Sequence, residues 1–181
     1  MSVSVPHRLV SLEEWARLDP EVGPVELVEG VLHVPPRPAS RHQIVLGQVV
    51  QQLNDALPES WIALAEVDLV VHEAEPATVR TPDVVVVPAE PALAGRGRWH
   101  ADEVALVVEV VSPGTQRTDR VMKASEYAEA GIPVYWLVDP DVPVTVTALR
   151  RNGAVYSPAS SVDVTVDGVT AALDVTRLGR R

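Results

Sequence analysis

Three side chains carry chemistry that their surroundings do not demand. Asp83 follows Thr81-Pro82 at the head of the run DVVVV, and Glu109 interrupts the apolar run VALVVEVV. Lys123 is the one lysine in a chain whose other fourteen basic residues are arginine. A carboxylate buried without a partner costs several kcal/mol, so Glu109 needs company. If the strands carrying Asp83 and Glu109 are antiparallel neighbours, the start of one lies beside the end of the other. The two acids then share the sheet margin where ligands of α/β proteins tend to bind. Two carboxylates there, with positions left for water, suit Mg²⁺ or Mn²⁺, hard ions that prefer oxygen. Singly, each acid has an ordinary account: Asp after Pro is a common turn residue, and a strand Glu can pair with an arginine. Their joint placement favours the metal.

Lys123 stands four residues after Asp119, and its plain reading is a surface helix pair contributing about 0.3–0.5 kcal/mol. Arginine makes such pairs at least as well, so the choice of lysine points to a compact ammonium with a movable pKa. At a metal-dependent phosphodiester site it could position a water or neutralise charge developing on the phosphate. Asp119, Lys123 and Tyr127 fall on one helix face. Tyr127 reads either as a group orienting Lys123 or as a tyrosine at the edge of the core.

These residues need elements to hold them. Ser11 with Glu14 forms a capping box opening a short helix over SLEEWARLD, which Pro20 stops. VELVEGVLHVPP reads as a hairpin turning near Glu29-Gly30. Ser40 and Gln43 offer a second capping box, and the helix after it carries apolar residues at 45, 46, 49, 53 and 57. Strands are expected around 62–73, 79–87 and 104–111, the last ending before Ser112-Pro113-Gly114. A helix over 119–130 closes at Gly131, and IPVYWLVDP is a further buried strand. Strand 104–111, helix 119–130 and strand 134–138 make a βαβ unit with parallel strands. From 143 onward, alternating Val and Thr around an RNG turn predict peripheral strands. The fold class is therefore α/β, a mixed sheet with helices on its faces.

The chain has 181 residues, 46% of them hydrophobic and 22% charged, which suits one globular domain. With no cysteine, disulfide and thiolate chemistry are excluded, and Val, Leu and Ala must fill a core that has no Phe. No run approaches the roughly 18 apolar residues of a membrane span. MSVSVPHRLV has no long apolar stretch or cleavage site, so a cytoplasmic protein is expected. A net charge of −10 argues against a general nucleic-acid-coating protein, though not against an enzyme that touches nucleic acid locally. Between Arg80 and Lys123 six basic residues meet six acidic ones, so the deficit lies elsewhere.

PDVVVV, LVVEVVSPGT, the Asp, Lys and Tyr spaced four apart, and GIPVYWLVDP together resemble the Uma-two family of restriction-endonuclease-like proteins. VELVEG is similar to that family's Glu-Leu-x-x-Gly hairpin, and PPRPASRHQIV to its Ser-x-x-His-x-x-Ile helix start. The resemblance covers about residues 10–140 of a single domain spanning 1–181, leaving 141–181 as the peripheral tail. It implies the PD-(D/E)xK fold, a central mixed sheet flanked by helices, with Asp83 and Glu109 as metal-binding acids and Glu26 as an additional acid. Val111 stands where the wider superfamily has its lysine, so Lys123 on the following helix would supply the amine.

Other candidates are weaker. His42 reads either as a contact to the phosphate or to a group behind the metal ligands, or as a capping and packing histidine. Arg96 and Arg98 in GRGRWH could track a backbone while Trp99 stacks on a base, or form a solvated loop with an anchoring Trp. Asp139 reads as a turn residue before Pro140.

Three whole-protein readings follow. The first is a Mg²⁺- or Mn²⁺-dependent endonuclease hydrolysing DNA. The second, motivated by the acidic charge, is a nuclease-fold binding or assembly module without cleavage, paired as a homodimer. The third is a metal-dependent hydrolase of another phosphodiester. The first is preferred, with DNA as substrate, a homodimer expected, and no membrane partner.

Overall fold

The structure is a computed structural model that describes residues 8–18, 24–112 and 118–180. The strands are β1 (Glu26–Val28), β2 (Val31–His33), β3 (Trp61–Ala65), β4 (Asp68–His72), β5 (Thr78–Arg80), β6 (Val84–Pro88), β7 (Arg98–His100), β8 (Leu106–Val110) and β9 (Val134–Asp139). They continue with β10 (Thr145–Asn152), β11 (Val155–Pro158), β12 (Asp163–Val166) and β13 (Val169–Ala172). The helices are α1 (Leu12–Trp15), α2 (Ser40–Ala56), α3 (Ala89–Leu93) and α4 (Ala124–Glu129). Where one mixed sheet was expected, the strands sort into two larger sheets and a hairpin. The orders are β11-β10-β9-β8-β6-β3 and β2-β1-β5-β4-β7, with β12-β13 apart. The second sheet exists because the expected strands 62–73 and 79–87 each break: Glu66 takes a positive φ of 51°, and Thr81-Pro82 separates β5 from β6.

The six-stranded sheet is buried on both faces, which explains why β6 and β8 read as unbroken apolar runs. Val84 and Val86 of β6, with Leu106, Val108 and Val110 of β8, pack under Val45, Leu46, Val49 and Leu53 of α2. The alternate residues Val85, Val87 and Val107 pack with Tyr127 and Ile132 on the opposite face. Strand alternation places Glu109 with Val107, on the Tyr127 face. β6 and β8 are antiparallel with Val84 opposite Val108, and β8 and β9 are parallel, as the βαβ reading requires.

Local signals hold unevenly. Ser11 and Glu14 form both halves of a capping box, although the helix it opens is only Leu12–Trp15. The Pro20 stop lies outside the described residues, as do residues 1–7 and the Pro113, Gly114 and Arg117 that follow β8. The β1–β2 turn uses Glu29 and Gly30 with φ of 47° and 77°. The second capping box does not form: Ala39 is the N-cap of α2, without a side-chain hydrogen bond, and Ser40 is already inside the helix. The helix expected over 119–130 opens instead as a π-helical segment, Thr118–Lys123, before α4. The tail is not peripheral. β10 pairs along β9, and Val164, Val166, Ala171, Leu173 and Leu178 enter the same core as α2.

Candidate active site

The register of β6 and β8 sets the site. One step beyond the Val84–Val108 pair, Asp83 comes beside Glu109. Asp83 is fixed by two donors on one oxygen: the Val110 backbone N–H at 2.6 Å and His42 Nε2 at 3.2 Å. His42 therefore carries its proton on Nε2, and its Nδ1 is buried without a hydrogen-bond partner among the described residues. Burial alone would lower the His42 pKa, but the hydrogen bond and charge of Asp83 outweigh it and hold it above the ordinary value. The first turn of α2 thus reaches the sheet through His42.

Glu109 is 4% exposed and takes two donors on Oε1, Lys123 Nζ at 2.8 Å and the Tyr127 hydroxyl at 2.9 Å. Burial pushes its pKa up to about 8; Lys123 opposes that rise, and the charges of Asp83 and Asp119 add to it. Lys123 is buried among carboxylates, with Asp119 Oδ1 at 3.5 Å and Glu26 Oε1 at 3.8 Å besides Glu109. Burial would lower its pKa, but Glu109, Glu26 and Asp119 more than reverse this, so the amine is held as ammonium. Tyr127 is fully buried, which keeps its phenol protonated and donating. Tyr135 stacks edge-on against Tyr127 with centroids 5.3 Å apart and donates to the Asp119 carbonyl at 2.9 Å.

The third layer comes from the five-stranded sheet. Arg80 at the end of β5 is 2% exposed and donates to Glu26 Oε2 at 2.9 Å. It also grips Glu126 of α4 by two hydrogen bonds, Nε to Oε2 at 2.8 Å and Nη2 to Oε1 at 2.6 Å. The other Glu26 oxygen accepts the Thr81 N–H at 3.2 Å. Among the described residues, five acidic side chains (Glu26, Asp83, Glu109, Asp119 and Glu126) thus gather around the fixed cations Arg80 and Lys123.

Glu26, His42, Asp83, Glu109, Lys123 and Tyr127 are brought together as one connected cluster. Arg96 and Arg98 are elsewhere engaged. Arg96 pairs with Glu103 through two 2.7 Å hydrogen bonds and lies 4.7 Å over Trp99, while Arg98 lies 4.7 Å over Trp15. Trp99 is fully buried, so it anchors β7 and offers no face to a base. Asp139 does cap a turn, accepting the Asp141 N–H at 3.1 Å. Arg80 and Glu126 were not singled out from the sequence. The available signal was TVRTPD, an arginine in a buried strand three residues before the acid.

Among the described residues no three His, Cys, Asp or Glu side chains converge as a ligand set. A divalent ion still fits the donors present. The crowding of acids, and the upward push on Glu109 from Asp83, are what a cation between them would relieve. Mg²⁺ is commonly held by one or two carboxylates, with water and substrate phosphate completing its shell.

An α/β core with a mixed sheet, two acids on adjacent antiparallel strands and an amine from the next helix define a restriction-endonuclease-like fold. Residues 11–175 match the Uma2 family, described as "Putative restriction endonuclease", and the chain belongs to that family. The match runs through the tail, well past the 10–140 carried by the motifs. Among solved structures the chain is similar to a "putative nuclease belonging to DUF820" from Anabaena variabilis ATCC 29413. The TM-score is 0.68 at 21% identity, over 94% of this chain and 97% of that one, a likeness of fold. No curated protein matches. Among the described residues no helix is long and apolar enough to cross a membrane.

Proposed function

We propose that this protein is a Mg²⁺- or Mn²⁺-dependent endonuclease that hydrolyses phosphodiester bonds in DNA. The observation that carries the reading is the convergence of Asp83 just before β6, Glu109 of β8 and Lys123 of the π-helical segment. Asp83 and Glu109 would hold the metal. When bound, the ion supplies Lewis-acid polarisation of the phosphate and a lowered pKa for the attacking water. The protein's own groups do the rest. Val110 N–H and His42 fix the plane of Asp83, and Tyr127 fixes that of Glu109. The Lys123 ammonium, held charged by its carboxylates, is placed to offset charge developing on the phosphate. Asp119 on its own helix, and the Glu109 oxygen that Tyr127 also bonds, hold it in place.

A second reading has its own observation. The Lys123–Glu109 pair satisfies the buried carboxylate without a metal, as a non-cleaving assembly module would require. Cleavage assays on supercoiled and linear DNA separate the two. Activity that requires Mg²⁺ or Mn²⁺, stops with EDTA and is lost in Asp83→Ala and Lys123→Met supports the nuclease. Inactivity across DNA substrates, with or without metal, supports the module. Cleavage of a generic small phosphodiester but of no nucleic acid would instead assign a different hydrolase.

A further inference from the structure

Glu26 and Arg80 sit one layer behind Lys123, and their geometry is that of a clamp. Arg80 spends all three of its bonding edges on carboxylates, two on Glu126 and one on Glu26. Glu26 is engaged on both oxygens: one takes Arg80 and the other takes the Thr81 N–H. It still lies 3.8 Å from Lys123 Nζ, a charge neighbour beyond good hydrogen-bond distance. Glu126 follows Lys123 by one helical turn, so the grip on Glu126 is a grip on the backbone that presents the amine. Arginine's planar fork suits this double engagement, and lysine would not reproduce it.

We infer that Glu26, Arg80 and Glu126 are positioning residues that lock the Lys123 helix against the five-stranded sheet, and that Glu26 is not a metal ligand. The cause is geometric. The π-helical segment makes Lys123's turn wider than an α-turn, a rare geometry found mostly as single turns at functional sites. Arg80 ends β5, and the chain reaches Asp83 three residues later, so one side chain sets the acid strand and the amine helix together. What Lys123 is for rests on the nuclease reading. That it is held by this clamp does not.

The sole lysine makes the test direct, because ¹⁵N,¹³C-lysine labelling gives one side-chain signal, that of Lys123. Arg80 variants risk unfolding, so Glu126→Gln, at a partly exposed carboxylate, is the working variant. Glu129→Gln, on the same helix in a surface pair with Ser125, is the control. In folded Glu126→Gln the Lys123 signal should shift and broaden, and reductive methylation of its amine should accelerate about tenfold relative to the α-amine. Glu129→Gln should match wild type. An unchanged Lys123 signal and rate in folded Glu126→Gln would overturn the clamp. In calorimetry, Glu26→Gln should keep the Mn²⁺ affinity of wild type while Asp83→Ala loses it. Loss in Glu26→Gln equal to that in Asp83→Ala would make Glu26 a ligand and overturn the assignment. Wild type that binds no Mn²⁺ would count against the nuclease reading, and the lysine readout would still decide the clamp.

Discussion

Lys123 is where the sequence and the physics meet most closely. A chain that uses arginine fourteen times and lysine once places that lysine 2.8 Å from the one carboxylate in β8. Lys123→Arg keeps the charge but brings a wider, planar head into a pocket shaped by Glu109, Asp119 and Tyr127. Cleavage should fall by about 10²–10³ in kcat, the usual loss when a developing charge loses its stabiliser. Steady-state kinetics with an unchanged KM would check it. Glu109 supplies a pH prediction. Its folded pKa is raised to about 8 from 4.5, so the folded state holds a proton that the unfolded state has released. Metal-free stability should therefore decline as pH rises through that window, with Glu109→Gln flattening the slope. Urea midpoints between pH 5 and 8 test the sign; a rise with pH in wild type would contradict it.

At the scale of elements, the register of β6 and β8 was legible because two apolar runs of similar length, each with an acid at one end, leave few alternatives. The π-helical start before α4 was not legible, since its residues have ordinary helical periodicity and nothing in their order marks the wider turn. Arg80 was missed for a similar reason: its value lies in Glu26 and Glu126, 54 and 46 residues away in sequence. The failed capping box is explained by Ser40 sitting one position too late. That failure makes a prediction. Ala39 has extended backbone at the N-cap and no side-chain bond, so Ala39→Ser should stabilise α2 by about 1 kcal/mol. A urea midpoint at or below that of wild type would count against it.

For the whole molecule, the tail changes role. Alternating Val and Thr suggested an add-on, because a two-residue period shows that one face is apolar without showing what covers it. Val164, Val166, Ala171, Leu173 and Leu178 in fact complete the core over α2. Burying each large side chain contributes about 1.5–3 kcal/mol, so together they rival the roughly 5–15 kcal/mol that separates folded from unfolded. A chain ending at residue 158 should lose cooperative thermal unfolding and bind a hydrophobic dye. A sharp transition near the wild-type Tm would contradict this. The same five-stranded and six-stranded sheets then meet at residues 80–83, where the tertiary structure hands its rigidity to the cluster.

The metal proposed between Asp83 and Glu109 is tested by calorimetric titration of Mn²⁺ into wild type and Asp83→Ala. Saturable binding by wild type is expected, lost in the variant while its circular dichroism is unchanged. Binding of equal affinity to both proteins, or to neither, would contradict it.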